Sequence, residues 1–293
     1  RMTIPDEPKP TTSGPRHVDA AEAEQLISEG NLHLLDVRTP QEFTSLGHIP
    51  EALLLPVELV AAAPAVVPRD DKPVLVYCEH GVRSQHAAQV LLRCGYEQVL
   101  NLSGGMSTWR GKRAYDSQPI AGPSGWLLKN SDLLHGGGLA LDLACGRGRH
   151  VLTLAAAGWQ VRGIDRNAEA IEQLRGVARC LGLQINVEVV DLESGSVDLG
   201  NAVYNLIVVT RYLHRPLFPA ICDALKPGGI LLYETFTIAQ AERGHPKNPE
   251  FLLKPNELQK LVRPLEILRA YEGERDGQMV AAVVARKPSL GVP

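Results

Sequence analysis

Short apolar runs alternate with amphipathic stretches along most of the chain. From Val18 to about Arg110 this rhythm is that of a parallel α/β sheet, with each buried strand followed by a helical pattern. It breaks between Gly111 and Gly138, where Pro119, Gly122-Pro123, Gly125 and Gly136-Gly137-Gly138 punctuate the chain around one amphipathic piece, Trp126 to Leu134. The rhythm resumes with seven runs that fit strands: Leu139–Leu143, Gln160–Ile164, Gln184–Val190, Asn205–Val209, Ile230–Tyr233, Glu266–Tyr271 and Met279–Ala285. Helices fit between the first five. The clearest spans Ala168 to Leu181, with Asn167 as N-cap and Gly182 as the stop. The last two runs flank a polar turn, Glu272 to Gln278, and predict an antiparallel hairpin. The fold class is therefore α/β with two domains, residues 1–117 and 118–293, joined by a connection of about 25 residues.

A length of 293 residues agrees with two domains at roughly 150 residues each. The 44% apolar and 22% charged residues are ordinary globular usage, which excludes a largely disordered or collagenous chain. A net charge of -3 supplies no basic field for a polyanion, so nucleic acid is disfavoured as a partner. The longest apolar stretch, Ala52 to Val67, is interrupted by Pro56, Glu58 and Pro64, so no membrane span is expected. Residues Arg1–Glu7 lack an apolar signal core, and the arginine ahead of Met2 reads as an added residue, making the cytoplasm the expected location. The five cysteines are widely spaced with no CxxC, which predicts free thiols and no zinc or other metal site. Nothing in the sequence sets the oligomeric state.

The first half carries its chemistry where the strand Pro73–Tyr77 leads into Cys78-Glu79-His80-Gly81-Val82-Arg83-Ser84 and a helix, Arg83 to Cys94. A strand, a tight loop and a helix N-terminus form a nest of backbone N–H groups that favours an anion. A thiolate at Cys78 is stabilised there by the helix dipole and by Arg83, which lowers its pKa and makes it a nucleophile at neutral pH. Together with Leu35-Asp36-Val37-Arg38, Glu42, Gly47-His48-Ile49-Pro50, Leu102-Ser103-Gly104-Gly105 and Trp109, this loop resembles the rhodanese, or sulfurtransferase, domain over residues 17–112. The resemblance implies that Cys78 takes a sulfane sulfur from a donor such as thiosulfate as a persulfide, cradled by the loop Glu79, His80, Gly81, Val82 and Arg83, with no cofactor. Four residues separate Cys78 from Arg83, as in the sulfur-handling members; the related phosphatases have one more. Two positions depart from the family: Glu51 follows Pro50 where glycine is usual, and Glu79 brings a negative charge that disfavours a dianionic donor. Arg38 with Glu42 reads as a structural ion pair, and His80 as a loop residue open to solvent or substrate.

In the second half, Leu141-Asp142-Leu143-Ala144-Cys145-Gly146-Arg147-Gly148 ends a strand, turns on two glycines and opens a helix that stops at Gly158. Only G-x-G is present, and the third glycine of a dinucleotide fingerprint would fall at Val151, which argues against a pyrophosphate. Asp165 ends the next strand 19 positions after Gly146, the place of a ribose acceptor, and Asp191 closes the third strand near an adenine edge. With Tyr204–Val209 and Leu225-Lys226-Pro227-Gly228-Gly229, these motifs resemble the class I S-adenosylmethionine-dependent methyltransferases over residues 122–287, a Rossmann-like seven-stranded fold. The resemblance implies that Asp142 and the Gly146–Gly148 turn hold the methionine part of S-adenosylmethionine, Asp165 the ribose, and Asp191 with Leu192 the adenine, with Ala144, Arg166 and Thr210 also binding the cofactor and S-adenosylhomocysteine as product. Cys145 reads as a packing residue, and Asn205 as a structural one.

Thr210-Arg211-Tyr212-Leu213-His214-Arg215 follows the fourth strand, where the acceptor lies in this fold. Arg211 and Arg215 suit an anionic acceptor and His214 a base; a polar loop capping the helix Arg215–Leu225 explains the segment equally well. Tyr233–Phe236, Gly244–Pro249 and Phe251–Pro255 resemble the small tellurite-resistance type methyltransferases, which implies tellurite, selenite or thiol acceptors. The stretch Ala239 to Lys254 is the available lid, and its size fits a small-molecule acceptor. Two readings follow: a methyltransferase with a working sulfurtransferase, and a methyltransferase whose rhodanese half is a non-catalytic regulatory or binding module.

Overall fold

The computed structural model describes residues 14–135, 137–195 and 197–289. The readings made on residues 1–7 and on Gly136 lie outside the described residues. The chain divides into two compact units between Gly122 and Pro123.

The first unit holds a parallel sheet of five strands, β1 (Arg16–Val18), β2 (His33–Asp36), β3 (Leu53–Leu54), β4 (Val74–Tyr77) and β5 (Val99–Leu102), in the order β1-β5-β4-β2-β3. Its core includes Phe43, Ile49, Leu75, Leu102, Met106 and Trp109. The central strand β4 is buried throughout and delivers its C-terminal end to the helix Val82–Arg93. Glu51 has φ 67°, and Ala52 N donates to Ile49 O across it at 3.2 Å. This is a turn with Pro50 second and a left-handed residue third, where glycine costs least. Glu51→Gly is therefore expected to raise stability by up to about 1 kcal/mol, the relieved strain being partly offset by the freer unfolded chain. Urea unfolding reads this as a higher midpoint at constant slope; an unchanged or lower midpoint would refute it.

The connection is shorter than its composition suggests. Ala114 pairs with His48, and Ala121 N donates to Leu54 O at 2.8 Å, so this part belongs to the first unit. In the second unit, Ser124 caps the helix Gly125–Lys129 and Trp126 Nε1 donates to Val283 O at 3.0 Å. Most of the turn-rich segment is thus stitched to one sheet or the other.

The second unit contains β6 (Leu139–Leu143), β7 (Gln160–Asp165), β8 (Ile185–Val189), β9 (Tyr204–Thr210), β10 (Leu225–Phe236), β11 (Glu266–Arg275) and β12 (Gln278–Arg286). They form one sheet in the order β11-β12-β10-β9-β6-β7-β8, antiparallel only around β12. The helix Ala168–Leu181 has Asn167 as N-cap and left-handed Gly182 as C-cap, and buries Ile171, Leu174 and Val177. One expectation fails: among the described residues from 190 to 203 there is no helix. Asp191 Oδ1 instead accepts from Glu193 N at 3.0 Å, a local turn that competes with helix formation. In register, Leu143 lies beside both Ile164 and Val209, and Thr210 beside Glu234. The residues that end β6, β7, β9 and β10 therefore share one edge, where open α/β sheets bind ligands. No helix among the described residues is long and apolar enough to cross a membrane.

Candidate functional site

Cys78 sits just past β4, only 1% exposed. Gly81 adopts φ 89° and starts the next helix, which turns the loop amides inward. Gly81 N donates to Cys78 Sγ at 3.1 Å and Ser84 Oγ at 3.4 Å. Burial raises the thiol pKa, but the Ser84 hydroxyl and the amides of Ser84, His80 and Gly81 outweigh it, and the net shift is downward. The Gly104-Gly105 turn braces the loop: Met106 N and Ser107 N donate to the carbonyls of Cys78 and Glu79 at 2.9 and 3.0 Å. A Cβ on Gly105 would lie 2.3 Å from Cys78 O, so only glycine permits this approach. His80 and Val82 are exposed at the mouth.

The ion pairs differ from the expected ones. Glu42 binds Arg83, not Arg38, through two contacts of 2.6 and 2.9 Å. The Arg83 guanidinium holds the Glu42 carboxyl down at about 2. Glu42 in turn, and Cys78 beyond it, favour the charged form of Arg83. The capping box with Thr39 presents Glu42 from the start of its helix toward the loop. Arg38 is fully buried; it binds Asp36, donates to Glu79 Oε2 at 2.8 Å and donates to Gly47 O at 2.8 Å. The charge of Glu79 is thereby tied to Arg38 at the base of the loop, a guanidinium that Asp36 shares.

In the second unit, Ala144, Asp165, Arg166, Asp191, Leu192 and Arg211 come together on one cleft of about 330 Å³. Asp165 accepts from Gly146 N at 2.7 Å and from Asn167 N at 2.8 Å, with a lone pair left on each oxygen. Ala144 and Gly146 both have positive φ, and Gly146 faces open space. Gly148 is different: a Cβ there would lie 2.4 Å from Leu174, so this glycine lets two helices approach and is not on the cleft. Asp142 is 1% exposed, and its Oδ2 has no hydrogen-bond partner. The nearest cationic candidate, His150 Nδ1, is 3.7 Å away, and burial pushes the Asp142 carboxyl up to about 8. His150 Nε2 accepts from Ser124 N at 3.0 Å, so that nitrogen carries no proton and burial keeps the ring neutral. Cys145 is buried and its thiol is pushed up by burial, in keeping with a packing role.

Thr210, Arg215 and His214 do not line the cleft either. Thr210 is nearly buried beside the cleft, its hydroxyl accepting from Arg149 at 3.4 Å. Arg215 is committed to Glu257 at 2.7 Å and to the carbonyls of Glu250 and Leu252 at 2.9 Å, so it clamps the expected lid and is not turned to an acceptor. His214 precedes the turn Arg215–Leu217 and does not line the cleft. The lid stretch contributes Pro246 and Phe251 to the cleft wall. Tyr212, Glu234, Arg149 and Arg275 went unnoticed in sequence. Tyr212 lines the cleft with a buried hydroxyl that has no partner; only its position inside the Thr210–Arg215 segment hinted at it.

The rhodanese-like domain family matches residues 19–112. A sulfurtransferase of Allochromatium vinosum is 38% identical over 103 residues, which are 35% of this chain and 91% of that protein. The chain belongs to the rhodanese-like family. A thiosulfate sulfurtransferase, GlpE of Vibrio cholerae, is 37% identical over 97 residues, 32% of this chain and 86% of that protein. The rhodanese domain is fused to a second one, since the methyltransferase domain family matches residues 140–229. Among solved structures, TehB from Haemophilus influenzae is 21% identical with a TM-score of 0.48, over 56% of this chain and 62% of that one. The rhodanese domain thus contains the Cys78 loop, and the methyltransferase match contains Asp142, Gly146, Asp165, Asp191 and Arg211.

Proposed function

We propose that the rhodanese domain carries sulfane sulfur on Cys78, and that the methyltransferase domain moves a methyl group from S-adenosylmethionine to a small, anionic, chalcogen-bearing acceptor. The observation that carries the first half is the Cys78 sulfur held among the Gly81 amide, the Ser84 hydroxyl and the Arg83–Glu42 pair. The thiolate attacks the outer sulfur of a donor such as thiosulfate, the S–S bond breaks, and sulfite leaves with the bonding pair. The persulfide then gives that sulfur to an acceptor nucleophile and the thiolate returns. Loop amides hold the negative charge at each stage.

For the second half, the unpartnered Asp142 oxygen fits an ammonium group, which a buried carboxylate needs more than any neutral partner. The spare lone pairs of Asp165 fit ribose hydroxyls, and Leu192 with Val190 beside Asp191 fits an adenine face. The acids Asp165, Asp191 and Glu193 would repel a pyrophosphate. When bound, S-adenosylmethionine supplies an activated methyl on sulfur. The residues of this chain then align the acceptor and exclude water, which suffices for a soft nucleophile that is already ionised. The chalcogen character of the acceptor is supported by the Tyr233–Phe236, Gly244–Pro249 and Phe251–Pro255 segments. Mass spectrometry after thiosulfate treatment should show one added sulfur on the Cys78 peptide, and calorimetry should show binding of S-adenosylhomocysteine. No added sulfur removes the first half of the proposal, and no binding heat across temperatures removes the second.

A further inference from the structure

We infer that Glu42 decides which sulfur donor Cys78 accepts: by neutralising Arg83 it turns the loop away from dianions and toward a small organic persulfide with at most one negative charge. This rests on the sulfur-carrying reading above and names the substrate class of that site.

Glu42 comes from the first turn of the helix Pro40–Ser45, where its side chain closes a capping box. Its Oε2 accepts from Thr39 N at 2.9 Å and from Thr39 Oγ1 at 3.0 Å, so the carboxylate is fixed from its own helix. It then takes both terminal nitrogens of Arg83, Nη1 on Oε2 at 2.9 Å and Nη2 on Oε1 at 2.6 Å. Arg83, the second residue of the helix Val82–Arg93, is close enough to sense the sulfur: after Glu42, Cys78 favours its charged form. Glu42 is held down at about 2 and stays ionised wherever the thiolate exists, so the pair has no net charge at any working pH.

Two other arginines near the loop are committed as well. Arg38 donates to Glu79 Oε2 at 2.8 Å and to Asp36 Oδ2 at 2.8 Å, one guanidinium for two carboxylates. Arg113 donates to the carbonyls of Leu46 and Met106 at 2.7 and 2.8 Å. The loop therefore offers a donor its amides, the Ser84 hydroxyl, and a guanidinium whose charge is cancelled but which keeps N–H groups to give.

A nest of amides at a helix start holds a single negative charge well. Thiosulfate brings two, and both leave on sulfite. An organic persulfide asks less. The Cys78 thiolate attacks its outer sulfur, and the donor's S–S bond breaks with the electron pair going to the inner sulfur. The proton stays on the transferred sulfur, and one thiolate departs. The mouth agrees with this donor. Val82 is 76% exposed next to Arg83 and gives an organic group an apolar lip, from which a charged sulfur–oxygen group gains nothing. Glu42 is a positioning residue, acting on the donor through Arg83.

The test measures how fast thiosulfate and cysteine persulfide each load sulfur onto Cys78 of the full chain, by quenched mass spectrometry at neutral pH and low salt. Wild type should load faster from the persulfide. Glu42→Gln keeps an acceptor for Arg83 and drops the charge, so the thiosulfate-to-persulfide rate ratio should rise about tenfold. Glu42→Asp keeps the charge and loses reach, and should leave that ratio near wild type even where both rates fall. A purely structural role moves both donors together. Added salt should also lift the ratio in wild type, a readout that needs no variant. The inference is overturned if wild type prefers thiosulfate, if salt lowers the ratio, or if Glu42→Gln fails to raise it. If neither donor loads Cys78, the sulfur-carrying reading fails. The rate of alkylation by iodoacetate relative to iodoacetamide then still reads the charge preference of the loop, and it must rise in Glu42→Gln for the role of Glu42 to stand.

Discussion

Serine in place of Cys78 is expected to leave the rhodanese domain folded and to cut sulfur uptake from thiosulfate on the order of 10⁴-fold or more, to background. The exchange keeps the size of the side chain and its place beside Gly81 N and Ser84 Oγ. It removes the polarizable sulfur that forms the new S–S bond, and a hydroxyl does not ionise at neutral pH. A second readout follows from the lowered thiol pKa. The reactive fraction is the thiolate, so alkylation of Cys78 by iodoacetamide should reach half its maximum below pH ~8.5, where an ordinary cysteine does, and fall away as the pH drops through that lower value. Cys145 and Cys222 should lag, since burial raises both, Cys222 to about 11. Sulfur uptake that survives in Cys78→Ser, or a Cys78 profile centred above pH ~8.5, would sink the assignment.

Binding of S-adenosylmethionine should release protons at neutral pH and tighten as the pH rises from about 6 to 8. Asp142 stands at about 8 in the free protein because it is fully buried, and the nearby Arg149 only partly offsets this. At pH 7 it is mostly protonated. An ammonium group against its unpartnered oxygen favours the carboxylate, so the proton leaves on binding. Calorimetry in buffers of different ionisation enthalpy measures that proton directly; equal heats in all of them would refute the contact. Asp142→Asn should erase the buffer dependence and weaken binding about 10- to 100-fold, the range for a charge-assisted hydrogen bond. Stability has the opposite sign. An unfolded aspartate ionises near pH ~3.9, so between that value and about 8 the native state holds the extra proton and the free protein loses stability as the pH rises. Bound ligand removes that loss.

Much of this was legible in the order of residues because it is local. The seven strand positions, the helix bounded by Asn167 and Gly182, and the strand–loop–helix around Cys78 each depend on periodicity and on turn residues within a few positions. The misreadings involve partners far apart in the chain. Glu42 chose Arg83, 41 residues away, and Arg215 chose Glu257, 42 residues away. At Gly148 a side chain would meet Leu174 on another helix, a contact that the glycine motif does not announce. The missing helix after Asp191 had a local cause, an aspartate side chain capping its own turn, which composition alone does not reveal. Glu234 and Arg275 stayed hidden inside strands, where charged residues usually mark the solvent face.

Along the chain, Ala121, tied to the first unit, and Ser124, tied to the second, are separated by Gly122 and Pro123 alone. A gene split upstream of Ala121 strips the first half of its bond to Leu54, and one downstream of Ser124 takes away both a helix cap and the donor to His150. A cut between Gly122 and Pro123, where the two compact units meet, spares both, so whoever wishes to study either domain alone should divide the molecule there.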